Sequence, residues 1–206
     1  MAAPARYHIP VERFRSEIEV EPSRFIATVQ PVATPAAAPQ VIAAVTSEFP
    51  DANHNCWAYL VGPPGSTDQV GLSDDGEPHG AAGKPMLIAL QHSGLGDMVV
   101  VVSRYFGGIK LGKGGMVKAY TAAVKTALDQ VPRCERVNWL HLLATIDYAL
   151  VTPFEHKYRE YEAEILDVQY GERVTYRLRI PDERQKVFRA MFADLTAGRG
   201  LLENSD

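Results

Sequence analysis

Four consecutive valines, Val99 to Val102 within MVVVVSRYF, constrain the fold more than any other feature of the chain. A half-buried strand alternates apolar and polar residues, so a run with no polar position marks a strand covered on both faces. The surrounding segments supply possible neighbours. SEIEVEPSRFIATVQPV reads as two strands around the turn Glu21-Pro22-Ser23, APQVIAAVTSEF as a short helix, CWAYLVG as a strand and KPMLIALQHSG as a second helix. After the valine run, GKGGMVKAYTAAVKTALDQV reads as a long helix with Met116, Tyr120, Val124 and Leu128 on one stripe. Together these elements predict a mixed α/β domain, with one layer of helices against a mixed sheet.

The long helical pattern ends at Val131, Pro132 follows, and the charged turn RCER leads into a new strand pattern. We therefore expect two domains, residues 1–135 and 136–206. In the second, LHLLATIDY places Leu140, Leu142, Ala144, Ile146 and Tyr148 on one side of a strand, and ERVTYRLRI does the same with Val174, Tyr176, Leu178 and Ile180. Thr152, Pro153 and Glu155 have the form of a capping box opening a helix whose Phe154, Tyr158, Tyr161 and Ile165 share a face. A further helix is expected from Asp182, with Phe188, Met191, Phe192 and Leu195 inward and Gly198 as its stop. With ILDVQY and RGLLEN as short strands, the order is β-α-β-β-α-β, the split ferredoxin-like arrangement, and the fold class of the whole is α+β.

Composition narrows the function. With 46% hydrophobic and 22% charged residues, the chain can bury enough apolar surface to fold, which excludes disorder. No stretch reaches the roughly 18 to 20 apolar residues that span a bilayer, and MAAPARYHIPVERF lacks the apolar core of a signal peptide, so the expected location is the cytoplasm and no membrane partner is expected. Two cysteines, Cys56 and Cys134, rule out a disulfide framework or a four-thiolate zinc site. A net charge of -4 excludes a generally basic protein, but not a local basic site.

The charges are in fact segregated. Between Ser66 and Gly83 stand four acids, Asp68, Asp74, Asp75 and Glu77, and no lysine or arginine. Between Met98 and Leu128 stand five bases, Arg104, Lys110, Lys113, Lys118 and Lys125, and no acid. The acids of SDDGEPHGAAGKPML can hold a hard cation or orient a water; equally, Asp75-Gly76 can be a turn while the acids cap a helix or pair with Arg104. The basic segment carries Gly107, Gly108, Gly112, Gly114 and Gly115 in a loop before the long helix. Unpaired backbone N–H groups, a helix dipole and Lys110 and Lys113 together make a candidate anion site there. The loop matches neither the phosphate-binding loop of nucleotide hydrolases nor the dinucleotide fingerprint.

Other residues offer less. His54 and Cys56 lie two apart on an extended segment, with side chains to one side, but no third group is apparent to complete a nucleophilic site. The six histidines show no pair at metal-ligand spacing, and no cofactor is expected. In the second domain, Arg173, Arg177 and Arg179 alternate with the apolar face of their strand and should line the open side of the sheet as candidate phosphate contacts.

FPDANHNCWAY, SDDGEPHGAAGKPML and VVVSRYFGGIKLGKGGMVKAY, in that order and spacing, resemble the signature of the IMPACT family, in particular its bacterial YigZ-type branch. The resemblance covers residues 16 to 130 most strongly, and the tail resembles the C-terminal domain of the bacterial members. It implies a first domain like the second domain of small-subunit ribosomal protein S-five and the fourth domain of elongation factor G, and a tail like that factor's fifth domain. It also implies a link to translation, with RNA or the ribosome as possible partners, or a protein partner in translation control. The family positions here are His54 and Cys56; Asp74, Asp75, Gly76, Glu77, Pro78, Gly80 and Gly83; Arg104, Tyr105, Gly107, Gly108, Gly112, Gly114 and Gly115. None brings a catalytic role. The chain departs from the usual pattern with Ala81 in place of a small polar residue, and with His79 and Lys113 at positions usually small or polar. The leading expectation is a non-enzymatic RNA- or ribosome-binding factor using the basic glycine-rich segment; the alternative is a hydrolase or phosphotransferase that holds a phosphate ligand with the same loop and the acidic motif.

Overall fold

The valine run lies at the centre of a five-stranded sheet in the computed structural model, which describes residues 6–205. The first of two compact units ends at Arg136 and the second starts at Val137. The chain begins with β1 (Arg6–Pro10), β2 (Phe14–Val20), β3 (Ser23–Pro31), α1 (Ala38–Glu48), β4 (His54–Leu60) and β5 (Val70–Ser73). It continues through α2 (Gly83–Gln91), β6 (Met98–Tyr105), α3 (Gly112–Gln130) and β7 (Arg133–Val137). The sheet order is β2-β3-β6-β4-β5, with every neighbouring pair antiparallel.

Parity along β6 decides the layers. Val100 and Val102 pack with Cys56 and Ala58 against Met86 and Leu90 of α2 and Tyr120 and Val124 of α3. Val99 and Val101 point the other way, into a smaller cluster with Val32, Val61 and the α1 residues Ala38 and Val45. The expected mixed sheet with one helical layer is thus corrected on both counts. The sheet is antiparallel throughout, and helices cover both faces, because an all-valine strand left bare on one side would expose apolar surface at about 25 cal/mol per Å².

RCER is not a turn but part of β7, which pairs with β1 in a separate two-stranded sheet. Asp97, 3% exposed, anchors these strands: it accepts hydrogen bonds from Tyr7 Oη at 2.8 Å and Gly62 N at 2.7 Å and pairs with Arg136. Burial, then the hydrogen bond to Asp97, pushes the Tyr7 phenol up to about 12.

The second unit comprises β8 (Trp139–Ile146), α4 (Val151–Lys157), β9 (Glu164–Tyr170), β10 (Val174–Pro181), α5 (Gln185–Thr196) and β11 (Leu201–Asn204). This is the β-α-β-β-α-β order expected, in an antiparallel sheet ordered β11-β8-β10-β9. Leu142, Ala144, Ile146, Val174, Tyr176 and Leu178 form one core with Phe154 of α4 and Phe188 and Phe192 of α5, so both helices cover the same face. Details differ at the helix ends. Short 3-10 turns, Tyr148–Leu150 and Asp182–Arg184, precede α4 and α5, so neither Thr152 nor Asp182 makes the expected side-chain cap. Tyr148 is exposed in the first of these turns, and Ile165 lies on β9 rather than on α4. At the other end of α5, Ala197 and Gly198 have positive φ, and Gly198 N–H donates to Ala193 O, so the stop falls where glycine permits it.

Candidate functional site

Asp74, Asp75 and Glu77 fall on a tight turn following the edge strand β5. Asp75 and Gly76 both have positive φ, 41° and 84°, and Glu77 N–H donates to Asp74 O at 2.9 Å, the pattern of a type I′ turn. The Asp74 carboxylate accepts backbone N–H bonds from Gly80 at 2.8 Å, Gly83 at 2.9 Å and Ala82 at 3.1 Å, the last two at the start of α2. Burial raises its pKa, but these three donors and nearby His79 outweigh that, so the group titrates below the ordinary aspartate value. Asp75 accepts from Asn55 N at 2.6 Å, and its carbonyl meets His54 Nδ1 at 2.7 Å. Two of the acids are therefore engaged in holding the backbone. Among the described residues no group of three or more histidines, cysteines and acids is arranged to hold a metal ion.

Glu77 turns inward and meets the basic segment. Its Oε1 accepts from Arg104 Nη1 at 2.5 Å and from Tyr120 Oη at 2.8 Å, and the two charged side chains are only 3% and 7% exposed. Tyr120, from the middle of α3, also contacts Cys56 Sγ at 3.4 Å, while that thiol donates to Asp74 O at 2.9 Å. Burial pushes the Cys56 thiol up to about 12 and raises the Tyr120 phenol as well. A thiol so placed stays protonated at neutral pH, so Cys56 belongs to the core and not to a nucleophilic site.

Beside the Glu77–Arg104 pair opens a cleft of about 470 Å³. The buried residues Glu77, Arg104 and Met116 form its floor; Phe106, Lys110, Gly112 and Lys113, all exposed, form its rim, with Asn53 and His54 closing one side. The α3 helix begins at Gly112, so Gly112, Gly114 and Gly115 are its first turn and not a loop. That end has no side-chain cap and no acid in its first turn, leaving backbone N–H groups directed outward at the positive end of the dipole. Gly107 serves close packing instead, since a β-carbon there would come within 2.1 Å of the Pro22 backbone, so only glycine lets the loop cross the β2–β3 turn. Gly108, with φ 94°, turns the chain towards Lys110. Lys118 is exposed on α3 outside the lining of the cleft.

Comparison with known proteins identifies the family of the chain. The family model of the Impact N-terminal domain matches residues 21–128, more than half of the chain. The chain belongs to the IMPACT family. A second model, the domain of unknown function DUF1949, matches residues 145–199 within the second unit. The chain is 38% identical to the IMPACT family member YigZ of Escherichia coli over 87% of its own length and 88% of that protein. It is 36% identical to an IMPACT family member of Haemophilus influenzae, with 97% of both chains covered. A crystal structure described as that of a hypothetical protein superposes with a TM-score of 0.66 at 35% identity, covering 98% of each chain.

Within this IMPACT-family chain, the three motifs converge: His54 and Cys56 on β4, the acidic turn, and Arg104 at the end of β6 adjoin one another across the β4–β6 register that pairs His54 with Arg104. Ala81, one of the departures, is fully buried in the core, whereas His79 is exposed 3.7 Å from Asp74. Tyr120, which reads in the sequence only as one more residue of an apolar stripe, is the link that fixes Glu77. Phe106, 45% exposed with the Arg104 guanidinium 5.8 Å from its ring centre, is missed by the sequence reading in the same way. The signal for both was available: a hydroxyl on a buried stripe must find a partner, and an aromatic beside glycines has little to bury against.

The arginines of the second unit are placed otherwise. Arg179 pairs with Glu164 at 2.8 Å and lies 4.3 Å from the Trp139 ring centre, and Arg173 pairs with Asp147 at 2.8 Å. Arg177 is exposed, in register with Leu143 on one side and Asp167 on the other.

No helix among the described residues is long and apolar enough to cross a membrane.

Proposed function

We propose that the chain is a translation-linked factor that binds RNA, free or in the ribosome, through the cleft at the N-terminus of α3, without a reaction of its own. The observation that carries this reading is the convergence of Arg104, Lys110, Lys113 and an uncapped helix start on one cleft with an exposed aromatic at its rim. Phosphate oxygens suit the cations and the backbone N–H groups; a base suits Phe106. The sequence resemblance implies a first unit like domains of ribosomal protein S-five and elongation factor G and a second like that factor's fifth domain, and this supports the same reading. The enzyme alternative has less support. Asp74 and Asp75 are held by backbone partners, Glu77 is paired, and the Cys56 thiol is buried and protonated.

Binding of a structured RNA and of isolated ribosomal subunits, measured as salt is raised from about 50 mM, tests the reading. Affinity should fall log-linearly with salt and drop in the Lys110→Gln/Lys113→Gln variant. A folded wild-type protein that binds neither at low salt would sink it.

A further inference from the structure

Resting on the RNA reading of the cleft, we infer that its ligand is a terminal phosphate monoester of a single strand, with the end nucleotide's base against Phe106, and not an internal phosphodiester. Depth is the first reason. Arg104 is 6% exposed at the floor, so a phosphate must enter the cleft to reach it, which is easier for a chain end than for a phosphate flanked by chain on both sides. At about 470 Å³ the cleft has the size of a small-ligand site, large enough for one nucleotide.

Charge is the second reason. Arg104, Lys110 and Lys113 face the cleft with Glu77 as the opposing carboxylate, which leaves a formal charge of +2. A phosphate monoester carries about -1.5 to -2 at neutral pH. An internal phosphodiester carries a single negative charge and would leave one lysine unmatched. Glu77 Oε1 already accepts from Arg104 and Tyr120, so its charge is largely offset within the floor.

The third reason is an unmet donor. Arg104 Nε is buried and has no hydrogen-bond partner, although Nη1 of the same guanidinium is held by Glu77. Leaving a buried charged donor unpaired is costly, and a phosphate oxygen that reached it from the cleft would remove that cost. The first turn of α3 offers its N–H groups beside it, and the space a β-carbon would take at Gly108, Gly112 and Gly114 is open. A three-oxygen phosphate end can use several of these donors at once.

Fluorescence anisotropy with the full chain tests this, using single-stranded oligoribonucleotides of about ten nucleotides at about 50 mM salt. Four versions are compared: 5′-phosphate against 5′-hydroxyl, and 3′-phosphate against 3′-hydroxyl. One phosphorylated end should bind at least about tenfold tighter than its hydroxyl counterpart. That preference should vanish in Lys110→Gln/Lys113→Gln and in Gly114→Asp. The second variant adds a carboxylate at the helix start, where it favours the dipole, so its melting temperature should hold or rise while the preference is lost. Preference retained in both folded variants overturns the placement. Equal affinity for phosphorylated and hydroxyl ends overturns the terminal-phosphate inference and leaves the RNA reading standing, whereas no binding of any oligonucleotide overturns both. Adenosine monophosphate competing as well as the phosphorylated oligonucleotide does also overturns it, assigning the cleft to free phosphorylated small molecules.

Discussion

The cleft at the start of α3 and the open sheet face of the second unit each present three basic side chains, yet they differ in what stands beside the charge. On the sheet, acids arrive from neighbouring strands and loops: Glu164 meets Arg179, Asp147 meets Arg173, and Asp167 lies across from Arg177. In the cleft only Arg104 has a carboxylate, while Lys110 and Lys113 have no ion pair among the described residues. The difference lies in the local architecture. A β-strand interior brings cross-strand partners within about 5 Å, so a strand-borne charge is readily matched, whereas Lys110 just before the start of α3 and Lys113 in its first turn have no facing strand.

The comparison can be strained most severely at Arg104. Replacing it with methionine strands Glu77 as a buried charge and should cost about 3–5 kcal/mol in urea unfolding; the double change with Glu77→Leu should recover most of it. If Arg104→Met alone is nearly neutral, the buried pair does not organise the cleft. Asp74→Ala should cost about 1–2 kcal/mol at neutral pH, because three backbone donors lose their acceptor. The folded pKa of Asp74 is depressed, so its contribution is complete above the ordinary aspartate value and is lost as pH falls through the folded one. The stability gap between wild type and Asp74→Ala should therefore close in acid; a gap unchanged down to about pH 2 would contradict the capping role.

Binding sharpens the contrast more directly. Lys110→Gln/Lys113→Gln should reduce the slope of log affinity against log salt for single-stranded RNA by about 1.4, without lowering stability. Arg173→Gln/Arg177→Gln/Arg179→Gln should change that slope by less than half as much, since two of the three arginines are already paired. A larger effect from the sheet than from the cleft would reverse the assignment. The smallest expected effect is on the stability of the second unit: Arg179→Gln should cost about 0–1 kcal/mol, as befits a partly exposed ion pair.

Much of the fold was legible where apolar periodicity is strong, as in Val174 to Ile180, Met116 to Leu128 and the valine run. Less could be read where short polar strands are defined by partners distant in sequence. β1 and β7 lack an apolar alternation and depend on each other and on Asp97; β5 has four residues, one of them Gly71 lying against the Tyr59 ring. The segregation of acids and bases pointed to the cleft, and pairing with Arg104 was among the roles foreseen for the acids. Which acid pairs was decided by the turn at Asp75-Gly76, which aims Glu77 inward while Asp74 faces the start of α2. For the second-unit arginines, the strand pattern gave the face but not the cross-strand register that pairs them.

The chain of contacts from Arg104 through Glu77 and Tyr120 to Cys56 ties the floor of the cleft to the core of the first unit. Replacements at the floor therefore disturb the core, whereas Phe106, Lys110 and Lys113 are exposed and can be exchanged with the foundation left in place.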